Sequence, residues 1–285
     1  MHSAWDHTYS IRSTGSVLVD QVHRSISPAW MRKKTECEKR KKMKVLVIPD
    51  VHLKPWMFDS ASDILLSKKA ERAVCLMDIP DVWDQERNLD LYARTYEKVL
   101  AFAEEFPDTL WCLGNHDLSY LWGQLESGYS VFAQSLAKEK LVELILSLKE
   151  RSQIAYIHRI DDVLFMHGGL SDRFVKLYTK ASSYNDVEKV IKEINDLGLR
   201  QMWQDESPIW LRPQYGDIRM YKPRKLLQVV GHTPVKTLRR KGNVISCDVF
   251  STTMDMLPIG TEEFLIIDTK TWAFEGIQGQ HYSNL

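Results

Sequence analysis

The sequence predicts an α/β fold in which helices cover a mostly parallel central sheet. From Met43 onward, short apolar runs rich in Val, Ile and Leu alternate with longer stretches whose apolar residues recur every three or four positions. The first pattern is typical of buried strands and the second of amphipathic helices. Because the two patterns alternate along the chain, we expect neighbouring strands with helices packed against them.

The individual elements follow from these patterns. Seven apolar runs are predicted strands, at residues 44–49, 73–77, 109–113, 163–166, 226–230, 243–247 and 263–268. Three amphipathic stretches are predicted helices, at residues 88–105, 131–148 and 186–197. The strands late in the chain are the ones that we expect to pair in a different direction. Residues 200–223 are rich in Trp, Pro and Arg and weakly periodic, which indicates a long functional loop beside a site.

The composition is that of a globular protein without a strong bias toward any partner. The 285 residues have a formal net charge of zero and 44% hydrophobic content, so a membrane is not expected as a partner and nucleic acid is disfavoured. None of the apolar runs approaches the roughly 20 residues of a membrane span. The four cysteines show no CxxC spacing, which favours buried thiols in a reducing compartment and hence a cytoplasmic location. The oligomeric state stays open.

The first 42 residues differ from the rest. They lack apolar periodicity, and residues 31–42 carry seven basic and two acidic side chains. We expect residues 1–42 to form a disordered basic N-terminal extension and residues 43–285 to form the folded domain. A nucleic-acid-binding or targeting role for the basic segment is the open alternative.

Chemically active side chains follow five of the predicted strands, where the apolar runs end. They are Asp50 and His52, Asp78 and Asp81, Asn115 and His116, His167, and His232. Since ligands of α/β sheets bind at the carboxyl ends of strands, these ends can open onto one edge. Carboxylate, imidazole and amide groups together are ligands for Mn, Fe or Zn rather than for a sulfur-rich structural zinc.

The motifs that carry these residues read DVH, DIPD, GNHD, HGG and GHTP, in that order. Over about residues 43–268 the chain resembles the calcineurin-like metallophosphoesterases. The resemblance is greatest to the branch that contains the serine/threonine phosphoprotein phosphatases and the diadenosine tetraphosphatases. It implies a layered α-β-β-α sandwich with the active site at the carboxyl ends of the strands.

The resemblance also implies a role for each residue. Two divalent metal ions are expected, Mn first, with Fe, Zn or Ni as alternatives. Asp78 would bridge them, and the other ligands would be Asp50 and His52 for the first ion and Asn115, His167 and His232 for the second. His116 would protonate the leaving alkoxide or orient the phosphate, and Asp81 would hold the His116 ring by a hydrogen bond.

Two departures from the family pattern stand out. Met77 precedes the bridging carboxylate where the family usually has Gly, and Val82 stands where the phosphatase branch has an arginine that grips phosphate. Arg212 in SPIWLRP is the candidate for a phosphate-binding arginine, and a plain structural arginine is an equal alternative. Asp248 either supports a metal-binding histidine or belongs to an ordinary turn.

The function implied by these motifs is that of a dinuclear-metal phosphoesterase. It would hydrolyse phosphate monoesters by metal-activated hydroxide, with a phosphoprotein as the first expected substrate. Hydrolysis of nucleotides or dinucleoside polyphosphates is the alternative within this class. A non-catalytic metal-binding scaffold on the same fold is the alternative from another class, motivated by the departures at Met77 and Val82.

Overall fold

The structure, a computed structural model, describes residues 43–279. The disordered extension predicted for residues 1–42 therefore lies outside the described residues, and the assignment of residues 43–285 as one domain stays a prediction. The described chain forms two sheets with helices on their outer faces. The predicted α/β class and the implied layered sandwich are confirmed.

The first sheet has six strands in the order β11-β10-β1-β2-β3-β4. Strands β1 to β4 run parallel, whereas β10 pairs antiparallel with β1 and β11 antiparallel with β10. Of the late strands that the sequence predicted, the one at residues 263–268 thus pairs in the opposite direction, whereas those at residues 226–230 and 243–247 pair parallel. The strand bounds are β1 Lys44–Ile48, β2 Arg72–Cys75, β3 Leu110–Cys112, β4 Ile154–Ala155, β10 Glu263–Asp268 and β11 Phe274–Gln278.

The second sheet has five strands in the order β5-β6-β7-β9-β8. Its central strands β6, β7 and β9 run parallel, and β5 and β8 pair antiparallel at the two edges. The alternating pattern alone predicted one central sheet, because it does not say which strands pair. The bounds are β5 Ile157–Ile160, β6 Val163–Met166, β7 Leu227–Val230, β8 Arg239–Lys241 and β9 Val244–Ser246.

The predicted helices all form, and others accompany them. The described helices are α1 Trp56–Leu66, α2 Leu89–Glu105, α3 Asn115–Trp122, α4 Gln134–Ser147, α5 Asp172–Tyr178, α6 Val187–Asn195 and α7 Leu199–Met202. Helices α2, α4 and α6 correspond to the three predicted stretches. Helix α1 was not predicted, although Met57, Ala61, Ile64 and Leu65 are buried at helical spacing along it.

Apolar side chains build the layers. In β1, Val45 and Val47 face the core between the sheets, where they join Phe165 of β6. The alternate residues Leu46 and Ile48 face the opposite side and pack in the cluster that includes buried residues of α1, α2 and α4. This alternation is the strand period of two. A third cluster joins the second sheet to α5 and α6. The positions of the apolar side chains thus explain the four layers, which are helices, first sheet, second sheet and helices.

Left-handed backbone conformations concentrate where the strands end. His52, Met77, Asp78, Asp81 and His232 have φ values of 42°, 55°, 47°, 67° and 62°. Such conformations cost free energy for residues other than glycine, and they persist where the surrounding structure fixes them. Met77 thus adopts a conformation that glycine favours, which fits its place where the family usually has Gly.

Replacing Met77 with glycine tests which of two effects is larger. A left-handed residue other than glycine costs about 1–2 kcal/mol, whereas removing a buried methionine side chain costs about 2–5 kcal/mol. Met77 is fully buried, so we expect Met77→Gly to lower the free energy of unfolding by up to about 4 kcal/mol. Urea denaturation measures this change.

Met256 supplies the matched control. It has a similar φ of 60° but is 42% exposed, so Met256→Gly relieves the backbone without emptying the core. We expect its free energy of unfolding to stay unchanged or to rise by up to about 1 kcal/mol. A Met77→Gly protein more stable than the wild type would contradict the account.

Candidate metal centre

The residues predicted at the strand ends lie together at one edge of the sandwich. They come from the loops after β1, β2, β6 and β7 and from the start of α3, which follows β3, so both sheets contribute. A cavity of about 200 Å³ opens at this edge, and His52, Asp78, Asn115, His116 and His232 line it. Asp50 and His167 are fully buried.

Four atoms with lone pairs converge around one point of the site. His167 Nε2 lies 3.0 Å from Asn115 Oδ1, 3.0 Å from His232 Nδ1 and 3.2 Å from Asp78 Oδ2. His167 Nδ1 lies 3.2 Å from the carbonyl oxygen of Leu76, and we assign it as the donor of that hydrogen bond. The lone pair of Nε2 therefore faces the other three atoms. Acceptors that crowd in this way repel one another unless a cation lies among them.

A second group of possible ligands shares Asp78. His52 Nε2 lies 3.7 Å from Asp78 Oδ2, and His52 Nδ1 lies 2.9 Å from the carbonyl oxygen of Asp81, which fixes the ring. His52, Asp78 and His116 each offer an atom within 4.8 Å of the others. His116 already uses Nδ1 in a hydrogen bond to Asp81, so the structure brings His116 near this group without making it an obvious ligand.

Asp50 fits the same centre through an oxygen that lacks a partner. Its Oδ2 accepts a hydrogen bond of 2.6 Å from the backbone N–H of His232, while its buried Oδ1 has no hydrogen-bond partner among the described residues. A Cβ at Gly231 would lie 1.9 Å from Oδ1, so only glycine allows the backbone to pass there. The carboxylate-imidazole-amide set and the orphaned oxygen both suit a divalent metal ion.

The charges of the site attract cations. Burial raises the pKa of Asp50, and nearby Asp248 raises it further. Burial would lower the pKa of His167, but Asp78 and Asp50 outweigh it and raise the pKa to about 9. Burial would likewise raise the pKa of Asp78, yet His167 and His116 outweigh it and lower the pKa. Positive charge is therefore stabilised between the carboxylates, and a proton or a metal ion can supply it.

His116 is held rigidly by its neighbours. Its Nδ1 donates to Asp81 Oδ2 over 2.9 Å, and the hydroxyls of Tyr92 and Tyr120 donate to Asp81 Oδ1 over 2.6 and 2.5 Å. Burial alone would lower the pKa of His116, but Asp78, the Asp81 hydrogen bond and Glu126 raise it to about 10. The sequence predicted the pairing of His116 with Asp81 but not the two tyrosines.

Asp117 is a residue of the site that sequence reasoning missed. Its carboxylate accepts hydrogen bonds from the backbone N–H groups of Asp78, Ile79 and Gly114, at 2.9, 3.0 and 2.9 Å. It thereby ties the loop after β2 to the start of α3. Its position three residues after the N-cap Gly114, where acidic side chains often reach back to the backbone, was the available signal.

Arg212 and Asp248 both line the cavity. The Arg212 Nη1 group donates to the carbonyl oxygen of His232 over 2.6 Å and to Thr233 Oγ1 over 3.3 Å. Asp248 accepts from the backbone N–H and the hydroxyl of Ser251 at 3.2 and 3.0 Å, as in a turn. The predicted loop at residues 200–223 brings Trp210 and Arg212 to the cavity, and the Trp210 ring lies 5.5 Å from the His232 ring.

Comparison with known proteins relates the chain to a known family. The profile of the calcineurin-like phosphoesterases matches residues 43–257. No match is found among curated proteins.

Solved structures resemble this chain at low sequence identity. A cold-active protein-tyrosine phosphatase of a psychrophilic Shewanella species is 17% identical, with 84% of this chain and 81% of that chain covered and a TM-score of 0.50. A hypothetical protein from Pyrococcus horikoshii is 12% identical, with 85% and 89% covered and a TM-score of 0.44. A metallophosphoesterase from Sphaerobacter thermophilus is 16% identical, with 84% and 90% covered and a TM-score of 0.39. The likeness to the tyrosine phosphatase concerns the fold alone.

The family match spans most of the chain. The chain therefore belongs to the calcineurin-like phosphoesterase family and is a metal-dependent phosphoester hydrolase. This family uses two metal ions, and the described residues include candidate ligands for them. Between residues 43 and 279, the structure has no helix that is both long and apolar enough to cross a bilayer.

Proposed function

We propose that the chain is a phosphate monoesterase of the phosphoprotein phosphatase branch that works with two divalent ions, manganese first. The observation that carries the proposal is the convergence of Asp78, Asn115 and His232 on His167 Nε2 within 3.0–3.2 Å. In this proposal Asp78 serves both ions, and the further ligands are Asp50 and His52 for one ion and Asn115, His167 and His232 for the other. When bound, such ions withdraw negative charge from a phosphate and activate water near neutral pH.

The protein's own groups would complete the reaction. His116 would donate a proton to the oxygen of the leaving group as the phosphoester bond breaks. Asp81 would keep the ring in the required orientation, since it accepts from Nδ1 and is itself held by two tyrosine hydroxyls. Asn115 would contribute a neutral oxygen, so the centre keeps more positive charge for the phosphate than a third carboxylate would allow.

The size of the cavity supports a phosphorylated side chain as the substrate. Its volume of about 200 Å³ lies below the roughly 300–1,000 Å³ of sites that enclose a whole small molecule. A phosphoryl group with a short stem fits such a space, while the rest of a protein substrate stays outside. Arg212 lines the cavity and would contact the phosphate oxygens through the N–H groups that His232 and Thr233 leave free.

A nucleotide substrate is the second candidate. Trp83 and Trp210 both line the cavity, and an aromatic ring beside a phosphate site can stack on a base. The scaffold alternative has lost its support, because the chain belongs to a family of metal-dependent phosphoester hydrolases.

A panel of substrates tests the proposal. With Mn²⁺, we expect turnover of p-nitrophenyl phosphate and of phosphoserine or phosphotyrosine peptides, and much slower hydrolysis of ATP or of diadenosine tetraphosphate, monitored by separation of the nucleotide products. Asn115→Ala should lower kcat/KM by at least about 100-fold, because a lost ligand removes several kcal/mol of charge stabilisation. Preference for nucleotides would favour the second candidate, and no phosphatase activity with Mn²⁺, Fe²⁺, Zn²⁺ or Ni²⁺ would contradict the proposal.

The proposed proton donation by His116 has its own test. We expect His116→Ala to lower kcat by about 10²–10⁴-fold with alkyl phosphates, whose leaving oxygen needs a proton, and far less with p-nitrophenyl phosphate. Bound metal, measured by elemental analysis, should stay at the wild-type level. Equal losses for good and poor leaving groups would contradict proton donation.

A further inference from the structure

Glu126 is a buried carboxylate at the metal centre that no motif in the sequence indicates. It lies between α3 and α4, and its side chain is 8% exposed. It lines the cavity together with Asn115 and His116. A carboxylate in this position needs a physical reason, since burying an ionised group without partners costs several kcal/mol.

The strongest contact of Glu126 is with the amide of Asn115. Asn115 Nδ2 donates to Glu126 Oε2 over 2.6 Å, which is shorter than the usual N–H···O hydrogen bond. The other end of the same amide, Oδ1, lies 3.0 Å from His167 Nε2. Glu126 therefore distinguishes the two ends of the amide, because only the NH₂ group can donate to it.

The orientation of this amide decides whether Asn115 can hold a cation. With Oδ1 toward His167, Asn115 adds a lone pair to those of His167, Asp78 and His232. Rotated by half a turn, the amide would direct its N–H groups at the same point and repel a metal ion. An asparagine ligand therefore requires something to fix its amide, and an acceptor behind the NH₂ group does this.

The loop that carries Glu126 lies against His116 and Asp81. Glu126 Oε1 lies 3.7 Å from His116 Nδ1 and has no hydrogen-bond partner among the described residues. Gly128 has a φ of +82°, and a Cβ built there would lie 3.6 Å from Asp81 Cβ and 3.7 Å from His116 Cε1. Gly128 therefore lies close to Asp81 and His116, and the same loop places Glu126 beside Asn115.

We propose that Glu126 is a positioning residue for one of the two metal ions. Its carboxylate holds the Asn115 amide so that Oδ1 faces the ion, and Glu126 itself does not bind the metal. The inference rests on the proposed ligand role of Asn115. It concerns metal affinity, so it can fail or succeed independently of which phosphoester the enzyme hydrolyses.

Calorimetric titration of the metal-free full chain with Mn²⁺ tests the proposal. We expect Glu126→Ala to weaken the binding of one of the two ions by about 10–100-fold, as for other residues that orient a metal ligand. Glu126→Gln keeps a carbonyl oxygen for the Asn115 NH₂ group and should stay within about 3-fold of the wild type. Glu143→Ala, which removes a half-exposed glutamate paired with Lys140, should leave both affinities unchanged.

Measurements in the Asn115→Asp variant separate the positioning role of Glu126 from the effect of its charge. In Asn115→Asp the two oxygens at position 115 are equivalent, so no orientation is needed and Glu126 only repels the new carboxylate. We therefore expect Glu126→Ala to weaken Mn²⁺ binding with Asn115 present and not to weaken it in the Asn115→Asp background. Such non-additivity is the mark of two groups acting through one contact.

Two results would overturn the proposal. One is equal weakening of Mn²⁺ binding by Glu126→Ala in both backgrounds, and the other is a loss in Glu126→Gln as large as in Glu126→Ala. Circular dichroism shows whether each variant folds, and Glu126→Leu replaces Glu126→Ala if the smaller side chain prevents folding. Normal Mn²⁺ affinities without hydrolysis of any phosphoester would instead count against the proposed function.

Discussion

The burial of two carboxylates at the ends of adjacent strands is the constraint on which the rest of the site depends. Asp50 follows β1 and Asp78 follows β2, and both are almost completely inaccessible to solvent. A buried negative charge is stable only with close donors or cations. Backbone N–H groups supply part of this, from His232 to Asp50 at 2.6 Å and from His116 to Asp78 at 2.9 Å. Each donor either is a proposed metal ligand or adjoins one: His232 is itself a proposed ligand, and His116 follows Asn115.

This requirement explains why the backbone around the site is unusual. The loops must turn sharply enough to direct N–H groups and imidazoles at the same two carboxylates. Met77, Asp78 and His232 accordingly take left-handed conformations, and a side chain at Gly114 would lie 2.2 Å from Asp78 Oδ1. The carboxylate of Asp117 holds two of these loops together through three backbone N–H groups. The free-energy cost of these left-handed residues is offset by the burial of apolar side chains in the layers beneath the loops.

The sequence predicted the parts of the structure that depend on local patterns. Strand ends marked by Asp50, Asp78 and His167 could be recognised because a buried apolar run stops and polar residues begin. The division into two sheets could not be read in this way, since pairing joins distant segments. The role of Glu126 could not be predicted from the sequence either, because its contact with Asn115 forms only when the loop after α3 folds back on the site. Nothing in the residues around it distinguishes it from a surface glutamate.

The departures at Met77 and Val82 take on a physical meaning in the structure. Met77 keeps the left-handed backbone and adds a side chain to the core. Val82 offers no charge to a phosphate, while Arg212 reaches the cavity from the loop at residues 200–223 and is anchored to the carbonyl oxygen of His232. In the proposed enzyme, positive charge for the substrate therefore comes from another part of the chain.

Anomalous diffraction from crystals grown with Mn²⁺ would test the central claim most directly. We expect two peaks, one among Asp78 Oδ2, Asn115 Oδ1, His167 Nε2 and His232 Nδ1, and one beside Asp50 and His52, with Asp78 in contact with both. A single peak at this edge of the sandwich, or peaks away from these side chains, would contradict the assignment of a two-metal centre.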